Sequence, residues 1–297
     1  MRLLFHLGAD AGFFSEYNNM LLAIIYCKLN NIRFSLASKN APFSYNKGWD
    51  DYFLPFCKEY NPHYNKKFNR RYDAYIDENN TDKVKRLYFN LLCWLHGIDM
   101  LTYQIFYKAR ELSVTQLYNI PDLAGNATLA EHCRVLNEQI YRFNETTQLV
   151  VDSLIEKASL PSEYLAVHIR RGDKQREIAH HDIRCYMDKL QSLSDCHNVF
   201  VATDDYTVFT ELQRTYKDYS FYTLTSPSAV GYDQRTFEQK SPERRRDEMY
   251  ALFADIEILK HAKQFSGTLS SNIGMYLYIV MPQGTCHGVD YNDWRIW

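Results

Sequence analysis

From Leu165 to the C-terminus, short apolar runs alternate with amphipathic stretches, and this alternation constrains the fold more than any other feature. The runs at 165–169, 199–202, 221–224, 264–266 and 284–287 have strand length and are bounded by polar or turn residues. The segments 183–193, 206–216, 247–262 and 270–280 carry apolar residues at helical spacing. Strands separated by such helices form βαβ units and a parallel sheet. The polar stretch 225–246 is expected to be a mobile loop.

The N-terminal half opens in the same way. A strand at 3–7 runs into Gly8-Ala9-Asp10-Ala11-Gly12, followed by a helix at 16–30 with Ser15 as its N-cap and a second strand at 33–38. The small-residue loop suits a backbone that approaches a ligand, although it is not the GxGxxG fingerprint. Residues 81–111 are expected to be helical, and 129–159 reads as one long helix ended by Pro161. With 297 residues the chain has room for two domains. The boundary is placed to give 1–155, an N-terminal α/β domain with a helical insert, and 156–297, a Rossmann-like C-terminal domain.

A formal net charge of −2 argues against a dedicated nucleic-acid binder, which carries a basic excess. The segment 61–72 mixes basic and aromatic residues. It reads as a solvated loop, with an anionic membrane or nucleic-acid patch as the alternative. Seven scattered cysteines without a Cys-x-x-Cys pair suggest free thiols in a reducing compartment. No zinc-type ligand spacing occurs. The first apolar run is too short for a signal peptide, and none is long enough to span a bilayer. The expectation is a soluble, cytoplasmic protein, with peripheral contact at the inner membrane face as the most intimate association.

The chemistry concentrates where strands end. His168-Ile169-Arg170-Arg171-Gly172-Asp173-Lys174 sets two guanidiniums at a carboxyl-terminal strand edge, where open α/β sheets bind ligands. Planar arginine forks suit diphosphate or carboxylate groups. Adjacent residues of a strand face opposite ways, so Arg171 has an alternative as a salt bridge beneath the site. Three further groups should converge there: Thr203-Asp204-Asp205; Asp255-Ile256-Glu257; and Gly267-Thr268-Leu269-Ser270-Ser271-Asn272, which opens a helix whose N-terminus can bind phosphate. Each has a plainer reading. Ser270 and Asp204 could be helix caps, and His168 a packed core residue.

In order, His-Ile-Arg-Arg-Gly-Asp-Lys, Val-Ala-Thr-Asp-Asp, Asp-Ile-Glu-Ile-Leu and Gly-Thr-Leu-Ser-Ser-Asn resemble the three-motif signature of the GDP-fucose-dependent fucosyltransferase superfamily. The pattern is most similar to α1,6-fucosyltransferases of the nodulation and core-fucosylation type. The early loop and Gly48-Trp49-Asp50 also resemble that family's N-terminal part, while 61–132 is the least matched tract. The resemblance implies a GT-B-like α/β fold, with GDP-β-L-fucose held by the second domain and the acceptor glycan or oligosaccharide served by the first. It further implies inverting transfer without metal or other cofactor, which leaves neutralisation of the departing diphosphate to the protein's own donors.

By position, the resemblance implies that Arg170 grips the β-phosphate and that Arg171 and Gly12 face the diphosphate. Ser270, Ser271 and Asn272 would bind phosphate. Asp255 would accept hydrogen bonds from guanine, His168 would meet the base through its backbone, and Asp204 and Asp205 would support the site. The catalytic base would be Glu177, paired with Lys174, with Asp173 as the alternative. An α1,2- or protein O-fucosyltransferase, or a nucleotide-sugar-binding protein without turnover, remains open at this point.

Overall fold

The computed structural model describes residues 1–8, 11–72, 80–172 and 181–296. The chain divides into two compact units, Met1–Asn144 with Ile296–Trp297, and Glu145–Arg295. The expected boundary after residue 155 falls inside a helix, Glu145–Lys157, that belongs wholly to the second unit.

In the first unit, β1 (Arg2–His6) leads to α1 (Phe13–Leu29) and β2 (Arg33–Ala37). Then come α2 (Asn65–Phe68), α3 (Asn80–Leu95), β3 (Met100–Leu101), α4 (Thr102–Arg110), a β4 (Leu117–Ile120) and β5 (Gly125–Thr128) hairpin, and α5 (Leu129–Ile140). β1 is central to a parallel sheet of order β2-β1-β3. Its inner residues Leu3, Leu4 and Phe5 are buried; α1 packs against β1 and β2, while Leu4 joins Phe89 and Cys93 of α3 in a cluster. Two helix expectations change here. α1 starts earlier, with Gly12 as N-cap, and Ser15 lies inside it, where its Oγ accepts from Arg71. The 81–111 segment is two helices, interrupted by Gly97 in a left-handed conformation (φ 64°) and by β3.

The Gly48-Trp49-Asp50-Asp51 segment is built around Asp51. Its carboxylate accepts from the Ser44 hydroxyl and from the backbone amides of Tyr45, Asn46, Lys47 and Gly48. Trp49 is buried and stacks on Phe53, 4.3 Å between ring centroids.

The second unit contains α6 (Glu145–Lys157), β6 (Leu165–Ile169), α7 (Ile183–Gln191), β7 (Asn198–Thr203), α8 (Tyr206–Thr215), β8 (Ser220–Tyr222), α9 (Gln234–Gln239), α10 (Pro242–Lys260), β9 (Phe265–Gly267), α11 (Asn272–Val280) and β10 (Cys286–Gly288). The five strands lie parallel in the order β10-β9-β6-β7-β8. α5 and α6, expected as one helix, are separated at 141–144, and α6 packs on α10. The 225–246 segment is partly ordered: α9 lies within it, and α10 begins there with Pro242 at its first turn and Ser241 as N-cap. β6 carries the unit's core, since all five of its residues are buried between helices on either side.

The strand order places β6 at a switch point. The chain moves outward from β6 through β7 to β8, then returns to lay β9 on the other side of β6. Sheets of this kind leave a crevice at the carboxyl ends of the two strands where direction reverses. Those ends carry Arg170-Arg171 and Thr268–Asn272. The fold is α/β of the GT-B type, with a parallel sheet in each unit.

Candidate active site

The organising group at the carboxyl edge of β6 and β7 is Asp204. Its Oδ1 accepts from the Arg171 amide at 2.7 Å, and its Oδ2 accepts from the Gly172 and Tyr232 amides at 3.0 and 3.1 Å. The Asp204 carbonyl also accepts from Gly231 N at 2.7 Å. One carboxylate thus ties the Arg-Arg-Gly turn to a strap 28 residues away. Hydrogen bonds to a carboxylate are the strong, charge-assisted kind.

The same clamp sets Arg170. Its Nε lies 3.8 Å from Asp204 Oδ2, and its guanidinium sits over the Tyr232 ring, 5.3 Å from the centroid. Tyr232 is itself oriented by its hydroxyl, which donates to Gln234 Oε1 at 2.6 Å. Arg171 goes elsewhere. It acts electrostatically on Tyr186 of α7, partly offsetting the burial that pushes that phenol up to about 12. The two adjacent arginines, which follow the end of β6 at Ile169, therefore act on different neighbours.

His168 and Asp255 each carry a buried atom without a hydrogen-bond partner among the described residues. His168 is buried and its Nδ1 has no hydrogen-bond partner among the described residues. Burial pushes its pKa down to about 4, with Asp204 opposing and Arg170 reinforcing the shift. Asp255 lies on α10, which packs against β6, β7 and α11. Its Oδ1 is inaccessible and likewise without a partner among the described residues, and burial pushes its pKa up to about 7. An acceptor left in this state is costly unless a ligand supplies donors. Ser266 Oγ on β9 is a third such group.

The turn after β9 departs from the sequence expectation. The helix cap is Ser271, not Ser270: Ser271 Oγ accepts from Gly274 N at 2.9 Å and donates to the Thr268 carbonyl at 2.8 Å. The amides of Leu269 and Ser270 are taken by the Asp290 carboxylate, at 2.7 and 3.0 Å. Asn272 is the first residue of α11. On the neighbouring strand, Asp205 is also a cap: it holds the Thr207 amide at 2.9 Å at the start of α8.

Gly12 caps α1 in the first unit. Asp173, Lys174 and Glu177 lie outside the described residues. Sequence reading missed Tyr232, Gly231 and Asp290. Each meets its partner across at least 20 residues of chain, so no local pattern announces them. The sole sequence hint is a glycine, Gly231, in an otherwise charged loop. Among the described residues no group of three or more His, Cys, Asp or Glu side chains is placed to hold a metal ion, and no helix is long and apolar enough to cross a membrane.

Similar architectures occur among solved structures. The fucosyltransferase NodZ from Bradyrhizobium is 15% identical, with a TM-score of 0.56 over 95% of this chain and 93% of that one. The NodZ α1,6-fucosyltransferase soaked with GDP-fucose is 13% identical, with a TM-score of 0.56 over 95% and 92%. POFUT1 in complex with GDP-fucose is 11% identical, with a TM-score of 0.51 over 99% and 98%. At such identities the likeness is one of fold. No curated protein matches the chain by sequence. The family model for the N- and catalytic domains of α-(1,6)-fucosyltransferases, however, matches residues 20–286, nearly the whole chain and both strand-end motifs. The chain belongs to the α1,6-fucosyltransferase family and is a fucosyltransferase.

Proposed function

We propose that the protein transfers L-fucose from GDP-β-L-fucose to a hydroxyl of an oligosaccharide or glycan, in the α1,6 manner, with inversion and without metal. The observation that carries the donor is Asp255. A carboxylate oxygen that is buried and without a donor is complementary to the adjacent N1–H and N2–H₂ of guanine, which can fill a carboxylate bidentately. His168 contributes main-chain contact to the same base, and the Glu145–Arg295 unit is the donor side. The Met1–Asn144 unit serves the acceptor.

The leaving group is GDP, so negative charge grows on the β-phosphate as the C1–O bond breaks. Arg170 is the cation for that charge. Its position is fixed before the reaction by Asp204 and the Tyr232 ring, which is the arrangement that stabilises a developing anion without reorganisation. The N-terminus of α11, capped by Ser271 and opened by Asn272, adds the positive end of its dipole. Glu177, with Lys174 beside it in sequence, takes the proton from the acceptor hydroxyl, and Asp173 is the alternative base. Attack from the face opposite GDP inverts the anomeric centre.

Titration calorimetry in EDTA with GDP, GDP-fucose, GDP-mannose and UDP tests the donor. Guanosine nucleotides should bind and UDP should not. Absence of GDP binding, or a strict metal requirement, would overturn this reading. An acceptor screen read by NMR of the product anomeric proton then tests linkage and inversion. Glu177→Gln should abolish turnover while keeping GDP affinity.

A further inference from the structure

The exposed face of α3 is the most conspicuous surface outside the candidate site. Val84, Leu87, Tyr88, Leu91, Trp94 and Leu95 are 71, 71, 45, 49, 73 and 62% exposed. At 100° per residue they fill one continuous arc of roughly 120° along the helix. The opposite face is the one the fold uses. Phe89 and Cys93 are buried in a cluster with Leu4, Ala37, Phe68 and Ile98. The buried Asp82 accepts ion pairs from Lys67 at 2.7 Å and Lys85 at 3.6 Å. α3 is therefore anchored on one side and bare on the other. Contiguous apolar surface on this scale marks an interaction site.

We propose that this face lies in the headgroup region of an anionic membrane, holding the enzyme at the surface as a peripheral protein. Charge complementarity selects this occupant. Lys83 stands at one edge of the apolar arc, and Lys66 of the neighbouring α2 is likewise exposed. Lys85, on the other side, is half-buried and paired with Asp82, so Lys83 is the exposed lysine of α3. The strip is also broader than the narrow seam of a coiled-coil partner. Its aromatic groups suit an interface: Trp94 at the helix end, and Tyr88 with Tyr64 of the adjoining segment, ring centroids 6.4 Å apart. Both residue types have an apolar body and a polar tip. An amphipathic helix so equipped lies in the interface plane, its apolar side among the acyl chains and its lysines on the phosphates.

Vesicle flotation tests this, using phosphatidylcholine alone and phosphatidylcholine mixed equally with phosphatidylglycerol. The protein should float with the mixed vesicles and not with neutral ones, and salt should release it. Leu91→Asp with Trp94→Asp should abolish flotation. Both side chains are exposed, so circular dichroism and the melting temperature should be unchanged. Lys66→Ser and Lys83→Ser should each weaken binding about fivefold. Failure of the wild type to float, or flotation unaffected by the Asp variants, would overturn the proposal. So would sedimentation showing a dimer that Leu91→Asp dissociates, since a second copy would then own the face. None of these outcomes depends on the donor assignment.

Discussion

A Cβ on Gly172 would lie 2.2 Å from the Tyr232 carbonyl oxygen and 2.4 Å from its nitrogen. The glycine of the Arg-Arg-Gly-Asp motif is thus fixed by a backbone crossing: the 231–232 strap passes directly over it. Gly231, at φ 104°, provides the other half, its own Cβ position being 3.0 Å from Gly172 Cα. Gly172→Ala must push the strap away and with it the Tyr232 ring beneath Arg170. We expect a fall in kcat of at least about tenfold and a stability loss of about 1–3 kcal/mol, read by steady-state kinetics and urea unfolding. Unchanged kinetics would show that the crossing does not position Arg170.

Asp204 offers a second probe. Asp204→Ala leaves three backbone amides without their acceptor, at about 1–3 kcal/mol for each that stays dry. A melting temperature close to wild type would contradict the clamp. Asp204→Asn retains one acceptor oxygen and should fall between the two.

The pH response of Asp255 has a definite sign. Its folded pKa of about 7 lies above the ordinary carboxylate range. The penalty for ionising it is therefore full above pH 7 and is relieved progressively as pH falls from 7 toward about 4, the ordinary carboxylate value. Asp255→Asn should raise the melting temperature at about pH 8 by about 3 °C or more, and that advantage should shrink below pH 7 and vanish near about pH 4. GDP affinity should behave in the opposite way. Guanine needs the carboxylate, so affinity should rise by up to about tenfold per pH unit on approaching neutrality from the acid side. Calorimetry across this range, with proton release measured in two buffers, checks both statements.

His168 acts in the other direction. Its folded pKa of about 4 lies below the usual imidazole value, so the stability gained by keeping it neutral is lost as pH falls from about 6.5 toward 4. Proton titration of the imidazole by NMR should show no charging at pH 6.

Arg170→Ala should reduce kcat/KM by about 10²–10³-fold, the usual cost of losing one donor to a developing anion. Arg170→Lys should recover little, because a point charge neither forks nor stacks on Tyr232. Wild-type turnover in either variant would remove Arg170 from the mechanism.

The parallel sheet and its strand-end motifs were legible because βαβ units write themselves locally. β6 lies where its apolar run begins and ends, and each later strand is within two residues of its expected position. Helix limits were less legible. α1, α5, α6 and α10 differ from expectation because Gly12, the 141–144 break and Ser241-Pro242 override apolar spacing. The least legible part was the division of labour among the polar residues. Asp205 and Ser271 serve as caps, and Asp204 holds backbone, because each found a nearby amide. Which carboxylate remains without donors, as Asp255 does, depends on the packing of α10 and cannot be read from the residue type.

The carboxylate of Asp290 has one further consequence. It already sits on the Leu269 and Ser270 amides, so the turn after β9 is no general trap for passing anions. Under the proposed donor role, a turn whose appetite for negative charge is partly met from within should discriminate against free phosphate and favour a visitor that brings a base and a diphosphate together.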